Sequence, residues 1–235
     1  ADTAHRLGLA AAHLQLYDWA EGALGVADQL SPGHVSVLEG LEHIARLRGD
    51  DALLRHWMEA RMKLTPDDPA LLRAHAHLLA SMGDEEAERA VRRLEALGVD
   101  TAADRSLLAG LRARAGARSE AIEAILQALE ADPSRSADWL HYAQLLEAEG
   151  EHELALEANE RCLTLDRQCG EAWALKARLL AEKQGHQRDA LKAATHAVAL
   201  DAGGVDAVFL KAELLEIEGS VVAAEETLLK ALDTQ

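Results

Sequence analysis

Leu129-Glu130-Ala131-Asp132-Pro133 is the stretch on which the reading of this chain turns. Its pattern returns 34 residues later within Cys162-Leu163-Thr164-Leu165-Asp166-Arg167, and 35 residues after that within Ala197-Val198-Ala199-Leu200-Asp201-Ala202. The prolines keep the same beat. Pro32 and Pro66 are 34 apart, and Pro66 and Pro133 are 67 apart, two periods less one residue. Glycines mark a second phase at Gly49, Gly83, Gly116, Gly150, Gly185 and Gly219, in steps of 34, 33, 34, 35 and 34. A fixed period of this length means stacked supersecondary units rather than one globular core.

Each period reads as two helices. In 136–167, Trp139, Tyr142, Ala143, Leu145 and Leu146 recur at helical spacing, and Gly150 ends that helix as a residue free to take positive φ. A second helix from His152 to Leu165 carries Leu154, Ala155, Leu156, Ala158 and Cys162, and Asp166 with Arg167 turns the chain. Small residues fall where paired helices would cross, Ala143 with Ala155, and Ala177 with Ala190 and Ala197. They let backbones approach to the short end of the ~8–10 Å range. The short connections predict antiparallel neighbours.

Composition agrees. The 235 residues are 49% apolar but only 3% aromatic, and Ala and Leu dominate. Helix formers rather than β-branched strand residues must build the core, which excludes a β-sandwich, barrel or propeller and disfavours an α/β fold. The net charge is −17. Residues 1–117 hold 13 basic and 18 acidic side chains, and residues 118–235 hold 11 and 23. This balance argues against nucleic-acid binding and against adhesion to an anionic membrane. No apolar run reaches 18 residues, so no direct membrane insertion is expected. The two cysteines make no secreted disulfide framework. Cytoplasmic localisation is expected, with the periplasm as the alternative if a leader or anchor has been removed from before Ala1.

The motifs resemble those of the tetratricopeptide repeat family. That family's 34-residue helix–turn–helix unit asks for a large residue at position 4, Leu at 7, a small residue at 8, a large residue at 11, Gly at 15, Ala at 20 and 27, a large residue at 24 and Pro at 32. The first unit matches at Leu7, Gly8, Ala20, Leu24, Ala27 and Pro32. The fourth matches at Leu108, Ala109, Gly116, Ala121, Ile125, Ala128 and Pro133. The fifth, sixth and seventh match around Trp139, Trp173 and Val208. The resemblance covers the chain as seven tandem units, 1–34, 35–68, 69–101, 102–135, 136–169, 170–204 and 205–235. It implies an all-α fold, a right-handed α-solenoid of antiparallel helix pairs running as a single array over 1–235. The Ala-, Arg- and Leu-rich, Lys-poor composition points to a bacterial gene.

Departures cluster early. The second unit has Leu54 and Arg61 where small residues are expected, and the third is a residue short, with Glu88 near a small position. Repeats two and three should therefore pack less regularly. The last unit runs to Gln235 with no polar-faced capping helix, so Val222, Leu229 and Leu232 should form an apolar face available for self-association.

No enzyme motif appears: no Gly-rich phosphate loop, no Gly-x-Ser-x-Gly and no His-Glu-x-x-His. Cys162 sits at a small-residue position and should be a buried, inert thiol. Cys169, at the following turn, should be the more accessible of the two. We expect no catalytic residues, no metal and no cofactor. A zinc site from His43 and His77 would need two further ligands in reach.

The resemblance also implies a ligand groove lined by positions 2, 5, 6, 9, 12 and 13 of each first helix. Carried over, those positions hold His5, Leu9 and His13, then Glu39, His43 and Arg46, then Arg73 and His77. Next come Ser106, Gly110 and Arg114, followed by Leu140, His141, Gln144 and Glu147. Arg178 and Glu182 continue the surface to Phe209, Glu213 and Glu216. The N-terminal half is mildly basic and suits a protein or peptide partner that carries acidic residues. The family's carboxylate-clamp subclass is not matched, since the clamp positions hold His5, Leu9, Gly40, Ala70 and Ala74. Two functions follow from the resemblance. One is a non-catalytic protein-interaction scaffold or adaptor. The other is the repeat region of a larger multidomain bacterial protein, in an envelope, secretion, or sulfo- or glycosyl-transferase system, with a structural or substrate-presenting role.

Overall fold

Helix starts and stops follow the local chemistry. Asp68 accepts from the backbone N–H groups of Ala70 and Leu71 and is followed by Pro69 at the first helical position. There a missing N–H costs nothing and φ is already helical. Thr101 and Asp104 form a reciprocal capping box. At the other end, Gly150 takes φ 81° just after a first helix, where a side chain would be strained, and the remaining five phase-marking glycines all have positive φ.

The computed structural model describes residues 2–201 and 204–233. Ala202 of the third turn motif and the terminal Gln235 lie outside them. Among the described residues there are fourteen α-helices and no strand. They are α1 (Asp2–His13), α2 (Tyr17–Leu30), α3 (Val35–Arg48), α4 (Asp51–Met62), α5 (Pro69–Met82), α6 (Glu86–Ala96) and α7 (Ala102–Arg114). There follow α8 (Arg118–Ala131), α9 (Ser136–Ala148), α10 (His152–Leu165), α11 (Gly170–Ala181), α12 (Gln187–Ala199), α13 (Gly204–Ile217) and α14 (Val221–Asp233). Consecutive helices pack in pairs, α1 with α2 through to α13 with α14. The chain forms two compact bodies, Ala1–Asp100 and Thr101–Gln235.

In the first body, Ala11, Ala12, Ala20, Leu24 and Ala27 pack against Val37, Leu38, Leu41 and Ile44 of α3. A second cluster joins Ala45, Leu54 and Met58 to Leu71 and Leu78. Helix α1 touches α3, but α3 and α5 make no close backbone approach. This is the irregularity expected of repeats two and three. The second repeat also carries charge at positions that hold small residues elsewhere: Glu42 is buried in α3 and Arg61 of α4 reaches it. Leu7, a large motif residue, is 59% exposed on α1, whereas its equivalents Leu41 and Leu108 are buried.

In the second body the small-residue crossings form as expected. Ala143 and Ala155 share one core with Ala158, Cys162 and Leu175. Ala177 and Ala190 share another with Ala193, Ala194 and Leu214. Ala197 instead meets Ala174 and Ala207, joining α12 to the following first helix. Each first helix here touches the next, α7 to α9, α9 to α11 and α11 to α13. Two tryptophans hold turns in place: the indole N–H of Trp139 donates to the carbonyl of Pro133 and that of Trp173 to the carbonyl of Arg167, both at 2.9 Å.

Candidate functional site

The first helices of the N-terminal body carry the mildly basic part of the expected groove. On α3, His43 and Arg46 are exposed; on α5, His77 is exposed and Arg73 is half-buried. An exposed first-helix residue lies outside the α3–α4 and α5–α6 pair interfaces, so it is open to a ligand. His43 and His77 make no hydrogen bond to the described residues. Arg73 does: its guanidinium donates to the carbonyl of Val99 and so ties α5 to the end of this body. Because α3 and α5 make no close backbone approach, His43 with Arg46 and Arg73 with His77 stand as two pairs, each on its own helix.

The acids beside these groups are committed elsewhere. Glu39, an expected groove residue, pairs with Arg61 at 2.8 Å, and the Arg61 Nε lies 3.1 Å from Glu42 Oε1. The latter atoms are not aligned for a hydrogen bond, so this contact is a buried ion pair. Burial pushes the Glu42 carboxyl above its usual range, against the pull of Arg61 and Arg46. Further along the same body, His5 is half-buried with its Nε2 unpartnered, and His13 is exposed at the end of α1.

In the C-terminal body the expected residues are largely spent on packing. The hydroxyl of Ser106 on α7 donates to Asp138 on α9 at 2.7 Å, and Arg135 pairs with the same carboxylate at 2.6 Å. His141 lies against Gly110, where a Cβ would sit 3.7 Å from its Cε1. Burial lowers the His141 pKa and Asp138 opposes the shift. Leu140, read as groove-lining, is buried in the core instead. Arg178 forks onto Glu147 with contacts of 3.1 and 2.9 Å, while Glu182 pairs with His152. Arg114 and Gln144 are exposed.

The sequence reading missed one buried group. His75 stands at position 7 of its repeat, where Leu41 and Leu108 stand in theirs, and it is 6% exposed with neither ring nitrogen hydrogen-bonded. Glu59 Oε1 is 3.9 Å from its Nε2, beyond hydrogen-bond reach. Burial holds this imidazole below the usual His pKa, so it is neutral at pH 7. The available signal was a histidine at a core Leu position of the repeat.

Cys162 is fully buried and its thiol is pushed up to about 12, first by burial and then by the neighbouring Cys169. Cys169 is half-buried, and both cysteines are free thiols. Among the described residues, no group of three or more His, Cys, Asp or Glu side chains could hold a metal ion, and no helix is long and apolar enough to cross a membrane.

Comparison with known proteins places the fold. No protein-family model matches the chain, and no curated protein does. Solved structures do match. A tetratricopeptide repeat protein from Parabacteroides merdae aligns at TM-score 0.71 and 14% identity, over 99% of this chain and 92% of that one. The C-terminal part of a TPR repeat-containing protein from Cytophaga hutchinsonii aligns at TM-score 0.71 and 16% identity, over 97% and 98%. YrrB, described as a TPR protein with an unusual peptide-binding site, aligns at TM-score 0.61 and 13% identity, over 79% and 96%. The chain therefore has the tetratricopeptide-repeat fold, an all-α helical solenoid built from consecutive helix pairs.

Proposed function

We propose that the chain is a non-catalytic protein-interaction scaffold that takes an acidic peptide on the first-helix surface of its N-terminal body. The observation that carries this reading is the set of exposed, basic or ionisable side chains on α3 and α5, His43, Arg46 and His77, beside acids already turned to Arg61. An extended segment bridging the two helices meets Arg46 and His43 at one end and His77 and Arg73 at the other. The peptide-binding site described for YrrB is consistent with this reading. With two free thiols, the cytoplasm is the compartment we assign.

The test is fluorescence polarisation with labelled acidic peptides selected on the intact chain. Arg46→Glu with His77→Glu should weaken binding at least tenfold while leaving the helical circular dichroism intact. Unchanged affinity would remove this surface from consideration.

A second element of the reading is self-association, or docking within a larger bacterial protein, through the last helix pair. It rests on the apolar face of α14, where Val222 and Leu232 are each 70% exposed and Leu229 is 61% exposed. Leu163 and Leu129, which hold the position of Leu232 in earlier repeats, are buried.

A further inference from the structure

The buried imidazole of His75 does not face solid core. It forms part of the floor of a cavity of about 180 Å³ within the N-terminal body, between α4, α5 and α6. Leu72 and Leu79 flank it on α5, Met62 closes one side, and Arg89, Arg93 and Glu86 of α6 stand around it. The first-helix surface discussed above is not part of this cavity, since neither His43, Arg46, Arg73 nor His77 lines it.

Three observations converge on what this space would hold. The first is size. At roughly 30 Å³ per water molecule the cavity has room for about six, well short of a drug-sized ligand. The second is an unanswered polar group. His75 is more than nine-tenths buried, and its ring offers one N–H donor and one acceptor that no protein atom takes up. A buried group of this kind is costly without a partner. The third is charge. Glu86 meets Arg55 at 2.9 Å, a guanidinium it shares with Asp84 and Glu59, and Arg93 meets Asp67 at 2.9 Å. Arg89 makes no ion pair or hydrogen bond with the described residues and is exposed, so its guanidinium is the one at the rim left open to a ligand. A single open guanidinium, with Glu86 beside it, suits a monoanion better than a dianionic phosphate, and the apolar walls favour an anion with a hydrocarbon body over a bare inorganic ion.

We propose that this cavity is a binding site for a small carboxylate with a short apolar body, such as a medium-length aliphatic acid. The hydrocarbon lies on Leu72, Leu79 and Met62. The carboxylate meets Arg89 at the rim and accepts the free N–H of His75. A planar carboxylate also suits the two-pronged donor geometry of a guanidinium.

The test is calorimetric titration of the full chain with sodium hexanoate, sodium acetate and 1-hexanol, combined with NMR of ¹³C-methyl methionine. The three methionines, Met58, Met62 and Met82, give one signal each. Hexanoate should bind saturably and shift Met62 while leaving Met82 unmoved. Acetate lacks the body and hexanol lacks the charge, so both should bind at least tenfold more weakly. Arg89→Ala should cost about tenfold in hexanoate affinity. His75→Leu, which fills the floor with the residue other repeats use, should abolish binding while preserving the fold. Arg46→Glu with His77→Glu should leave hexanoate binding unchanged, which separates this site from the peptide surface. The proposal is overturned if Met62 shows no saturable shift, if hexanol binds as tightly as hexanoate, or if the Arg89→Ala and His75→Leu chains bind like the parent.

Discussion

Glu42 and Arg61 face each other across the α3–α4 interface, with Arg61 Nε 3.1 Å from Glu42 Oε1. Their equivalents in later repeats are small: Ala109, Ala143 and Ala177 stand where Glu42 does, and Ala128, Cys162 and Ala197 stand where Arg61 does. Two departures from the small-residue rule in one repeat are thus the two halves of a single ion pair. Both side chains are largely out of water, so removing one partner is far worse than removing both. Arg61→Ala should destabilise the N-terminal body by about 3 kcal/mol, the low end for a broken buried pair. Glu42→Ala combined with Arg61→Ala should recover a substantial part of that loss. Urea denaturation of the single and double variants checks this, and additive losses would refute it.

His75 predicts a pH dependence. Its pKa is lowered in the folded chain, chiefly by burial; Glu59, Glu86 and Asp84 oppose the shift and Arg55 adds to it. The unfolded chain therefore binds the proton more readily, and stability falls as pH drops below the ordinary His pKa of about 6.5. His141 in the second body shifts the same way. Glu42 acts in the opposite sense, because its raised pKa makes the folded state the better proton acceptor just above the usual carboxylate range, and the effect is complete once pH falls below that range. Thermal melts should show Tm falling between pH 7.5 and 5.5. His75→Leu should raise stability at neutral pH by about 1–2 kcal/mol, since an unsatisfied buried polar group is removed, and should reduce the acid sensitivity. A variant with the parent's pH profile would show that His75 is not its source.

Gly8 and Gly110 should respond oppositely to the same substitution. A Cβ on Gly8 would lie 2.6 Å from Leu24 Cγ and 3.1 Å from the carbonyl oxygen of Ala20, in a core where Leu24 has no exposed surface. Gly8→Ala should cost about 1–3 kcal/mol through overpacking. At Gly110 the nearest atom is His141 Cε1 at 3.7 Å, an ordinary contact. Gly110→Ala should gain up to about 1 kcal/mol from helix propensity. Chemical denaturation of both variants reads the two signs directly.

The thiols should differ in reactivity. With its pKa near 12, Cys162 holds almost no thiolate at pH 8 and is sealed in the core. Alkylation of the native chain followed by peptide mass mapping should label Cys169 first and leave Cys162 unmodified, whereas both should react in urea. Native labelling of Cys162 at the rate of Cys169 would contradict its placement.

Much of the fold was legible because a repeat states its rules several times. Gly150 and the small residues Ala143 and Ala155 could be assigned from spacing alone, since their environment recurs every 34 residues. The site was less legible. Arg178 and Glu147 are 31 residues apart, and nothing local shows that they pair. Leu140 and Gln144 were both placed on the groove by position, yet the former is buried and the latter exposed. The orientation of a helix against its neighbour, which periodicity within one repeat leaves free to about one residue, decides between them.

The order of elements, their lengths, the helix ends and the small-residue crossings are properties of the sequence by itself, because capping, propensity and the 3.6-residue period act within one or two helices. Tertiary structure alone decided that Glu42 answers Arg61, that α3 and α5 stand apart, and that His75 closes a cavity instead of filling a core. Those outcomes depend on the distances between helices that are not sequence neighbours. A change of a few ångströms there determines whether a charge finds a partner, and whether a side chain meets a wall or an opening.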